Sequence, residues 1–467
     1  MTVSEFVLAL VAGMRNELLL FAGVGILIGG LDDLVLDGIY GVRRLWRAAT
    51  IYRRVPRMTA DTLPSSLHPG TLAVLVPAWD ESAVIAPMLR HCLARWTQDD
   101  VHLFVGVYPN DPATIVAVAD VAGGSDRVTM VINPRPGPTT KADCLNQIWQ
   151  AMLRWETARG WPIKAIVLHD AEDVVHGDAI RVMSALIDRF ALVQLPVLPL
   201  ISPRSRWIAG HYCDEFAESH GKALTVREAL GASLPSAGVG CAVERTIVGR
   251  LADARGGSPF DPDSLTEDYE LGLRIGEMGG RGILVRMRDG RGDLVATQEY
   301  FPRTIDAAVR QKARWTLGIA LAGWDRLGWG SGWSEVWMRL HDRRALLAAI
   351  VLAAAYLGLL ATALVEGVTL LGMGDAAPLP DPLPALLLAN AALLLWRILM
   401  RMLFVHRAYG PAEAIRSVPR LFVANIIAMM AARRAIMLYI RLWAGGALQW
   451  DKTTHRFPTK VAEEVSA

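Results

Sequence analysis

The sequence predicts a Rossmann-like α/β domain combined with transmembrane and interfacial α-helices, and three observations carry this prediction. Of the 467 residues, 52% are hydrophobic and only 20% are charged, whereas a soluble domain carries about 25% charged residues. Apolar stretches long enough to cross a bilayer stand near both ends of the chain. Between them, short apolar runs alternate with longer helical stretches, which is the pattern of βαβ units.

Charge and cysteine content exclude several other classes. The formal net charge of +2 gives no general attraction to nucleic acid. Four scattered cysteines without a CxxC pair argue against a disulfide scaffold or a zinc finger, and they fit reduced thiols in a cytosolic compartment: Cys92, Cys144, Cys213 and Cys241.

Residues 1–60 are predicted to form an N-terminal transmembrane helix, over 18–36, and a basic juxtamembrane segment. Asp32 and Asp33 lie near the inner end of this span, either as a pair at the level of the lipid headgroups or as a buried functional pair. Six arginines then precede the next acid: Arg43, Arg44, Arg47, Arg53, Arg54 and Arg57. Arg15 is the only Lys or Arg among residues 1–17. The positive-inside rule therefore places the N-terminus outside and residue 40 onward in the cytoplasm.

Residues 61–340 are predicted to form the cytoplasmic α/β domain. Five apolar runs read as strands of a parallel sheet: TLAVLVP, HLFVGVY, VTMVINP, AIVLHD and FALVQLPVLPL.

Residues 341–410 are predicted to hold two further transmembrane helices, over 345–365 and about 384–404. The turn at 374–382 contains two Asp but no Lys or Arg, as expected of an outer loop.

Residues 411–467 are predicted to contain interfacial helices and a C-terminal cytoplasmic segment. The apolar run 421–432 has 12 residues, too short to span, so we expect one or two helices over 415–443 on the cytoplasmic face. Three spans then place the C-terminus inside.

Two acid pairs stand where chemistry is expected. Asp170 and Glu172 follow an apolar run, at the strand edge where α/β sheets bind ligands; carboxylates there suit Mg²⁺ or Mn²⁺, although a lone acidic triplet is also typical of a solvated turn. Glu267 and Asp268 follow Thr266 at a helix start, where Thr can cap and acids favour the helix dipole.

A third element is basic and aromatic. Gln311, Arg314 and Trp315 share one helical face through their i, i+3, i+4 spacing. An amide, a guanidinium and an indole suit an anionic leaving group beside a sugar ring. The same pattern is also typical of a Trp-rich helix close to a membrane.

The order of these elements resembles the family 2 glycosyltransferases, which are inverting, membrane-bound enzymes with a GT-A fold. More narrowly, the chain is similar to the phage-adsorption protein B (NfrB) type of glycosyltransferase, on the segments LDDLVLDGIYGVRR, VYPNDPAT, HDAEDVVH, GVGCAVER, LTEDYELGLRI, RQKARWTLGIALAGW and QWDKTTHRFP. The resemblance covers nearly the whole chain.

The resemblance assigns roles to individual residues. It implies Asp268 as catalytic base with Glu267 beside it, and Asp170 and Glu172 as metal ligands. It implies donor binding by Pro77, Ala78, Trp79, Glu81, Asn110, Asp111, Lys141 and Asp170, with Asp80 where the family commonly has Asn. It implies an acceptor and diphosphate site of Gln311, Arg314, Trp315, Gly240 and Cys241, with Gly238 nearby, and a segment near the active-site mouth with Trp450, Lys452, Thr453 and His455.

The function implied is transfer of a sugar, with inversion, from a UDP-sugar to a growing polysaccharide or a lipid-linked acceptor. A UDP-N-acetylhexosamine such as UDP-N-acetylmannosamine is the implied donor, Mg²⁺ or Mn²⁺ the cofactor, and the bacterial inner membrane the location. An envelope export partner is expected and nucleic acid is not. The alternative is a non-catalytic membrane receptor or scaffold. Within the enzyme class, single transfer and processive synthesis both remain open.

Overall fold

A computed structural model describes residues 3–97, 100–374, 378–446, 455–459 and 461–462. Its centre is a seven-stranded sheet in the order β3-β2-β1-β4-β6-β5-β7. The strands are β1 Thr71–Pro77, β2 Val101–Val107, β3 Val128–Ile132, β4 Ile163–Leu168, β5 Leu192–Gln194, β6 Cys241–Glu244 and β7 Gly282–Leu284. The α/β class is therefore confirmed.

The sheet is mixed, so the prediction of a parallel sheet is only partly right. Strands β1 to β4 pair in parallel, but β6 runs antiparallel to both β4 and β5. Strand β6 has only four residues and lies between β4 and β5, both of which were predicted as strands of a parallel sheet. Strands β6 and β7 were not predicted, because runs of four and three residues carry no clear periodicity.

Helices cover both faces of the sheet. They are α2 Ile85–Arg95, α3 Pro112–Ala122, α4 Lys141–Arg159, α5 Ala179–Leu186, α6 Gly210–Glu218, α7 Leu224–Ala229, α8 Arg245–Asp253, α9 Glu267–Glu277, α10 Ile305–Thr316, α11 Ala322–Leu327 and α12 Trp333–Arg343. Short π-helical turns join α6 to α7 and α10 to α11. Alternate residues of β1 enter two separate cores, with Val74 and Val76 on one face and Ala73 and Leu75 on the other. A strand buried on both faces reads as a continuous apolar run.

Four helices are long and apolar enough to cross a membrane. They are α1 Val3–Thr50, α13 Ala345–Leu370, α14 Leu383–Tyr409 and α15 Pro411–Trp443. Helices α1, α13 and α14 contain the three predicted transmembrane spans. Glycines of α1 allow close packing: a Cβ on Gly25 would lie 2.5 Å from Val351 of α13, and one on Gly23 would lie 2.7 Å from Leu386 of α14.

The two acids near the inner end of the first span join these helices. Asp32 accepts from the Trp337 indole at 2.6 Å, from the His341 ring at 2.8 Å and from the Arg344 guanidinium at 2.6 Å. Asp33 pairs with Arg344 and also with Arg397 of α14. Both carboxylates are therefore neutralised by cations, which is the arrangement expected of acids at membrane depth.

The final membrane-associated segment differs from its prediction. Instead of a run of 12 residues, α15 is one continuous helix of 33 residues, so the expectation of a segment too short to span is wrong. The arginines and Pro419 that interrupt the apolar pattern do not end the helix. Arg420, for example, is fully buried and pairs with Asp214 of α6 at 3.1 Å.

Helix α15 also lies against the α/β domain along most of its length. Ala431 and Ala435 pack in one cluster with Ala313 of α10. Close to its C-terminal end, the Tyr439 hydroxyl donates to Asp325 at 2.7 Å. Contacts near both ends of α15 therefore reach the same domain.

Candidate active site

The predicted residues converge on a cavity of about 130 Å³ at the carboxyl ends of β1 and β4. The starts of α4 and α9 and one face of α10 close it. The following predicted residues line it: Pro77, Glu81, Lys141, Asp170, Glu172, Glu267, Asp268, Gln311, Arg314 and Trp315. Elements far apart in the chain therefore meet at the sheet edge where open α/β sheets bind ligands.

Six predicted residues lie outside the lining of this cavity: Ala78, Trp79, Asn110, Asp111, Gly240 and Cys241. Several of them hold the surrounding loops. The Asn110 amide bonds both backbone groups of Gly137, at 2.8 and 2.7 Å. Asp111 caps α3 and accepts from the Asp80 amide at 2.6 Å. The Cys241 sulfur is buried in β6 and contacts the Ser236 hydroxyl at 3.1 Å.

Lys141 is the cation among these carboxylates. Its ammonium lies 2.6 Å from Asp170 and 3.9 Å from Glu267. Burial alone lowers the pKa of Lys141, but Asp170, Glu267 and Asp268 more than offset this, so the net pKa is raised. The lysine is therefore held as a permanent positive charge, which suits a site for phosphate oxygens.

A second acidic group lies around His455. The Nδ1 atom of this imidazole is 2.7 Å from Glu81 and 3.1 Å from Glu172. Burial lowers the pKa of His455, but Glu172 and Glu81 raise it more strongly, to well above its ordinary value. One oxygen of Glu172 is buried without a hydrogen-bond partner among the described residues.

This group fits a divalent cation. One ligand atom from each of Glu81, Glu172 and His455 lies within 4.8 Å of the others. Carboxylate oxygens and an imidazole nitrogen are ligands of first-row divalent metals, and a bound metal would displace the proton that the two glutamates hold on His455. Asp170 and Glu172 both line the cavity as predicted, but Asp170 is turned to Lys141 and Glu172 to His455. The three residues whose ligand atoms are close enough to share one ion are therefore Glu81, Glu172 and His455. The predicted metal ligands were Asp170 and Glu172.

Glu267 and Asp268 begin α9, where Glu267 is buried and Asp268 is half-buried. Burial, and then the charge of Asp268, raises the pKa of Glu267 to about 7. Burial also raises the pKa of Asp268, although Lys141 partly opposes it. Thr266 precedes the helix as predicted, but its side chain makes no capping hydrogen bond. Gly238 allows Asp268 its position, because a Cβ there would lie 2.4 Å from a carboxylate oxygen.

Helix α10 presents Gln311, Arg314 and Trp315 to the cavity together, as their spacing predicts. The Thr304 hydroxyl caps this helix by accepting from the Ala307 amide at 3.3 Å. Trp315 stands edge-on to Tyr212, with ring centroids 6.1 Å apart. The indole is therefore held by an aromatic cluster while the guanidinium faces the carboxylates.

Sequence reasoning missed several lining residues, among them the aromatic Phe216 and Phe301 and the acidic Glu299. Burial raises the pKa of Glu299 well above its ordinary value, and the charges of Asp173 and Glu172 raise it further. Glu299 follows an isolated bridge between Gln298 and Val174, so no local pattern marks it. Of the predicted C-terminal group, His455 enters the cavity, whereas Trp450, Lys452 and Thr453 lie outside the described residues.

The sequence of this domain matches one protein family. The profile described as "Glycosyltransferase like family 2" covers residues 69–318. This chain belongs to that family. Its α/β domain has the GT-A fold, with the family's segment running from before β1 into the turn after α10.

Curated relatives extend the similarity to the membrane helices. The "Bacteriophage adsorption protein B" of Escherichia coli (strain K12) is 36% identical over 468 residues, covering 94% of this chain. The "Bacteriophage N4 adsorption protein B" of Escherichia coli O157:H7 matches equally. The chain spans 62% of the length of these relatives.

Solved structures with a similar arrangement are more distant. The mannosyltransferase PcManGT from Pyrobaculum calidifontis, in complex with GDP-Man and Mn²⁺, is 18% identical, with a TM-score of 0.49, covering 84% of this chain and 99% of that chain. Glucosyl-3-phosphoglycerate synthase from Mycobacterium tuberculosis, in complex with Mg²⁺ and uridine-diphosphate, is 19% identical, with a TM-score of 0.36, covering 59% of this chain and 85% of that chain.

Proposed function

We propose that this protein is an inverting glycosyltransferase of the bacterial inner membrane that transfers a sugar from a UDP-sugar to a growing polysaccharide or lipid-linked acceptor. The observation that carries the proposal is the composition of the cavity. Lys141 and Arg314, two cations, face it together with Asp268, a half-buried carboxylate at a helix start. Such a cavity combines groups for an anionic leaving group with a group that accepts a proton.

Each residue then has a defined task. Arg314 and Lys141 stabilise the negative charge that develops on the diphosphate as the sugar–phosphate bond breaks. Asp268 accepts the proton of the acceptor hydroxyl as this hydroxyl attacks the anomeric carbon from the opposite face. A single base without a protein nucleophile leads to inversion. Trp315 offers a flat apolar surface for a sugar ring.

We propose that Mg²⁺ or Mn²⁺ assists this reaction. Glu172, with Glu81, His455 and the nearby Asp170, would hold the ion. When bound, the ion supplies Lewis-acid stabilisation of phosphate oxygens. Glu172 has an oxygen without a hydrogen-bond partner among the described residues, which leaves a ligand position for it.

The donor, acceptor and orientation are further parts of the proposal. We propose a UDP-N-acetylhexosamine, such as UDP-N-acetylmannosamine, as donor and an envelope export partner for the product. The α/β domain would face the cytoplasm, where nucleotide-sugars are available. The three membrane helices α1, α13 and α14, together with the surface helix α15, would keep the cavity close to the bilayer.

The test is release of nucleoside diphosphate by the detergent-purified protein with UDP-, GDP- and dTDP-sugars, each with Mg²⁺, Mn²⁺ or EDTA. We expect acceptor-dependent release from one UDP-sugar with metal, and none from an Asp268→Asn variant that still binds UDP. No turnover with any donor, by folded protein supplied with membrane extract as acceptor source, would contradict the proposal. That result would favour a non-catalytic receptor or scaffold, the role suggested by the relatives' adsorption name.

A further inference from the structure

A second cavity, of about 1670 Å³, lies where the ends of α1 and α14 meet the α/β domain. We call it the basic groove. It is enclosed by the C-terminal part of α1, the end of α14, and the loop 285–294 that follows β7. Nine arginines but only five carboxylates line it, so its lining carries an excess of positive charge. None of these arginines belongs to the active-site cavity.

Seven of the arginines have no carboxylate oxygen within 4.0 Å among the described residues: Arg44, Arg47, Arg57, Arg286, Arg288, Arg291 and Arg407. Their recorded partners are neutral. Arg44 donates to the Tyr40 hydroxyl at 3.2 Å and Arg286 to the His220 carbonyl at 2.7 Å. Arg407 lies over the Phe404 ring, 5.7 Å from its centroid. These contacts position the guanidinium groups without neutralising them.

Several acids of the groove are already engaged with other arginines. Asp61 and Asp178 both pair with Arg181, at 3.7 and 3.3 Å. Glu228 lies 3.8 Å from Arg43 and accepts from the Leu284 amide. The excess positive charge therefore belongs to the seven arginines that lack a carboxylate partner in the described part of the chain.

The arginines are also close enough to influence one another. Arg286 is exposed to the solvent of the groove, yet the surrounding protein lowers its pKa, and the charges of Arg288, Arg407 and Arg44 lower it further. The Nε of Arg47 is buried without a hydrogen-bond partner among the described residues. Converging like charges destabilise the ligand-free protein, and a bound anion would relieve this repulsion.

We propose that the basic groove binds a phosphate-bearing anion at a site separate from the donor site. A guanidinium binds phosphate oxygens through two parallel hydrogen bonds, and here three separate elements supply such groups. The volume of the groove exceeds that of one phosphate, so the ligand can be a soluble compound with several phosphates or the headgroup of an anionic lipid. The proposal does not depend on the sugar-transfer function.

Two binding measurements separate these sources. For the soluble source, inorganic pyrophosphate is titrated into the full chain in EDTA by calorimetry, in an Arg314→Gln background that weakens anion binding in the active-site cavity. For the lipid source, the protein is placed in nanodiscs of equal phosphatidylcholine and phosphatidylglycerol, and retained lipid is counted by native mass spectrometry. Each measurement compares an Arg286→Gln/Arg407→Gln variant with an Arg154→Gln/Arg250→Gln control. The control removes the same charge from exposed positions outside the groove.

We expect one measurement to show saturable binding that the groove variant weakens at least about tenfold, because charge-assisted hydrogen bonds to the anion are lost. The affinity of the control variant should stay within about twofold of the affinity of the unaltered protein. Ligand-free melting temperature of the groove variant should be equal or higher, because like-charge repulsion is removed. If the Arg286→Gln/Arg407→Gln variant does not fold, an Arg44→Gln/Arg288→Gln variant replaces it in both measurements. Absence of saturable binding in both measurements, or equal binding by groove variant and control, would overturn the proposal.

Discussion

At the scale of single residues, the two adjacent acids of α9 differ in their partners. One oxygen of Asp268 accepts from the Tyr269 amide at 2.7 Å, and Gly238 leaves room beside the other. Glu267 lies 3.9 Å from Lys141. Asp268 is thus the acid that is fixed at the cavity wall, and Glu267 is the one that balances the lysine.

This difference predicts unequal effects of substitution. Asp268→Asn should keep the shape of the site and UDP affinity, but lower the initial rate of sugar transfer by about 10²–10⁴-fold, because the proton acceptor is lost. Glu267→Gln should cost less. Near-normal transfer by Asp268→Asn together with its loss in Glu267→Gln would reverse the two roles.

The raised carboxyl pKa values predict a pH dependence. Transfer requires ionised Asp268, and burial raises the pKa of this carboxyl, so the rate should rise with pH until Asp268 is fully ionised. Glu267→Gln should move this transition to lower pH, because a neighbouring negative charge is removed. Between the ordinary pKa of 4.5 and about 7, the folded state holds more protons than the unfolded state, so the free energy of unfolding should decrease as pH rises through this range. A rate independent of pH between 5 and 8 would argue against a carboxylate base.

Asp170 and Glu172 predict that a divalent metal stimulates UDP binding. Glu172→Ala should abolish the metal-stimulated part of UDP binding measured by calorimetry, since an oxygen ligand is lost. Asp170→Ala should do the same, as expected from its place beside Glu172. Asp120→Ala, at an exposed position on α3, is the matched control and should leave this binding unchanged. Unaltered metal stimulation in both cavity variants would exclude them as ligands.

At the scale of elements, α15 is held to the α/β domain by a buried ionic group. Arg420 is fully buried and pairs with Asp214 at 3.1 Å and Glu413 at 3.0 Å. It also donates to the Glu413 carbonyl at 2.8 Å. This arginine therefore fixes the start of α15 against α6.

Removal of one partner from this group should be strongly destabilising. We expect Arg420→Met to lower the free energy of unfolding by about 3–5 kcal/mol, because two buried carboxylates lose their counter-charge. Arg416→Met is the comparison, since Arg416 pairs with the same Glu413 but remains partly exposed, and it should cost less than about 1 kcal/mol. Denaturant titration in detergent provides both values, and equal costs would show that burial of Arg420 is unimportant.

The limits of sequence-based prediction also appear at this scale. The strands β1 to β5 and the face of α10 follow from local periodicity, and the carboxylates of the cavity follow from their places after strands and before helices. Helix α15 could not be predicted in full, because its interruption by Arg420 reads as a surface charge until Asp214 is known to lie opposite. The His455 contact joins residues 374 positions apart, a distance over which no spacing rule operates.

At the scale of the whole molecule, the positive-inside pattern predicts an orientation. The four cysteines are all buried, so an introduced cysteine can be labelled against a low background. Pro378→Cys, in the loop between α13 and α14, should react from the outside. Arg154→Cys on α4 and Ala444→Cys just after α15 should both react only from the cytoplasm. Labelling of Ala444→Cys from the outside would mean that α15 crosses the membrane.

The contact between His455 and the two glutamates has a consequence for biosynthesis. Glu81 and Glu172 leave the ribosome early, whereas His455 follows all four long apolar helices in the chain. Domains generally fold in order of synthesis, so the α/β domain can take shape while one wall of its cavity is still missing. The wall is completed only when the later helices have been delivered to the bilayer. A chain arrested before that point would carry a folded sheet but an incomplete cavity, which couples maturation of the site to membrane insertion.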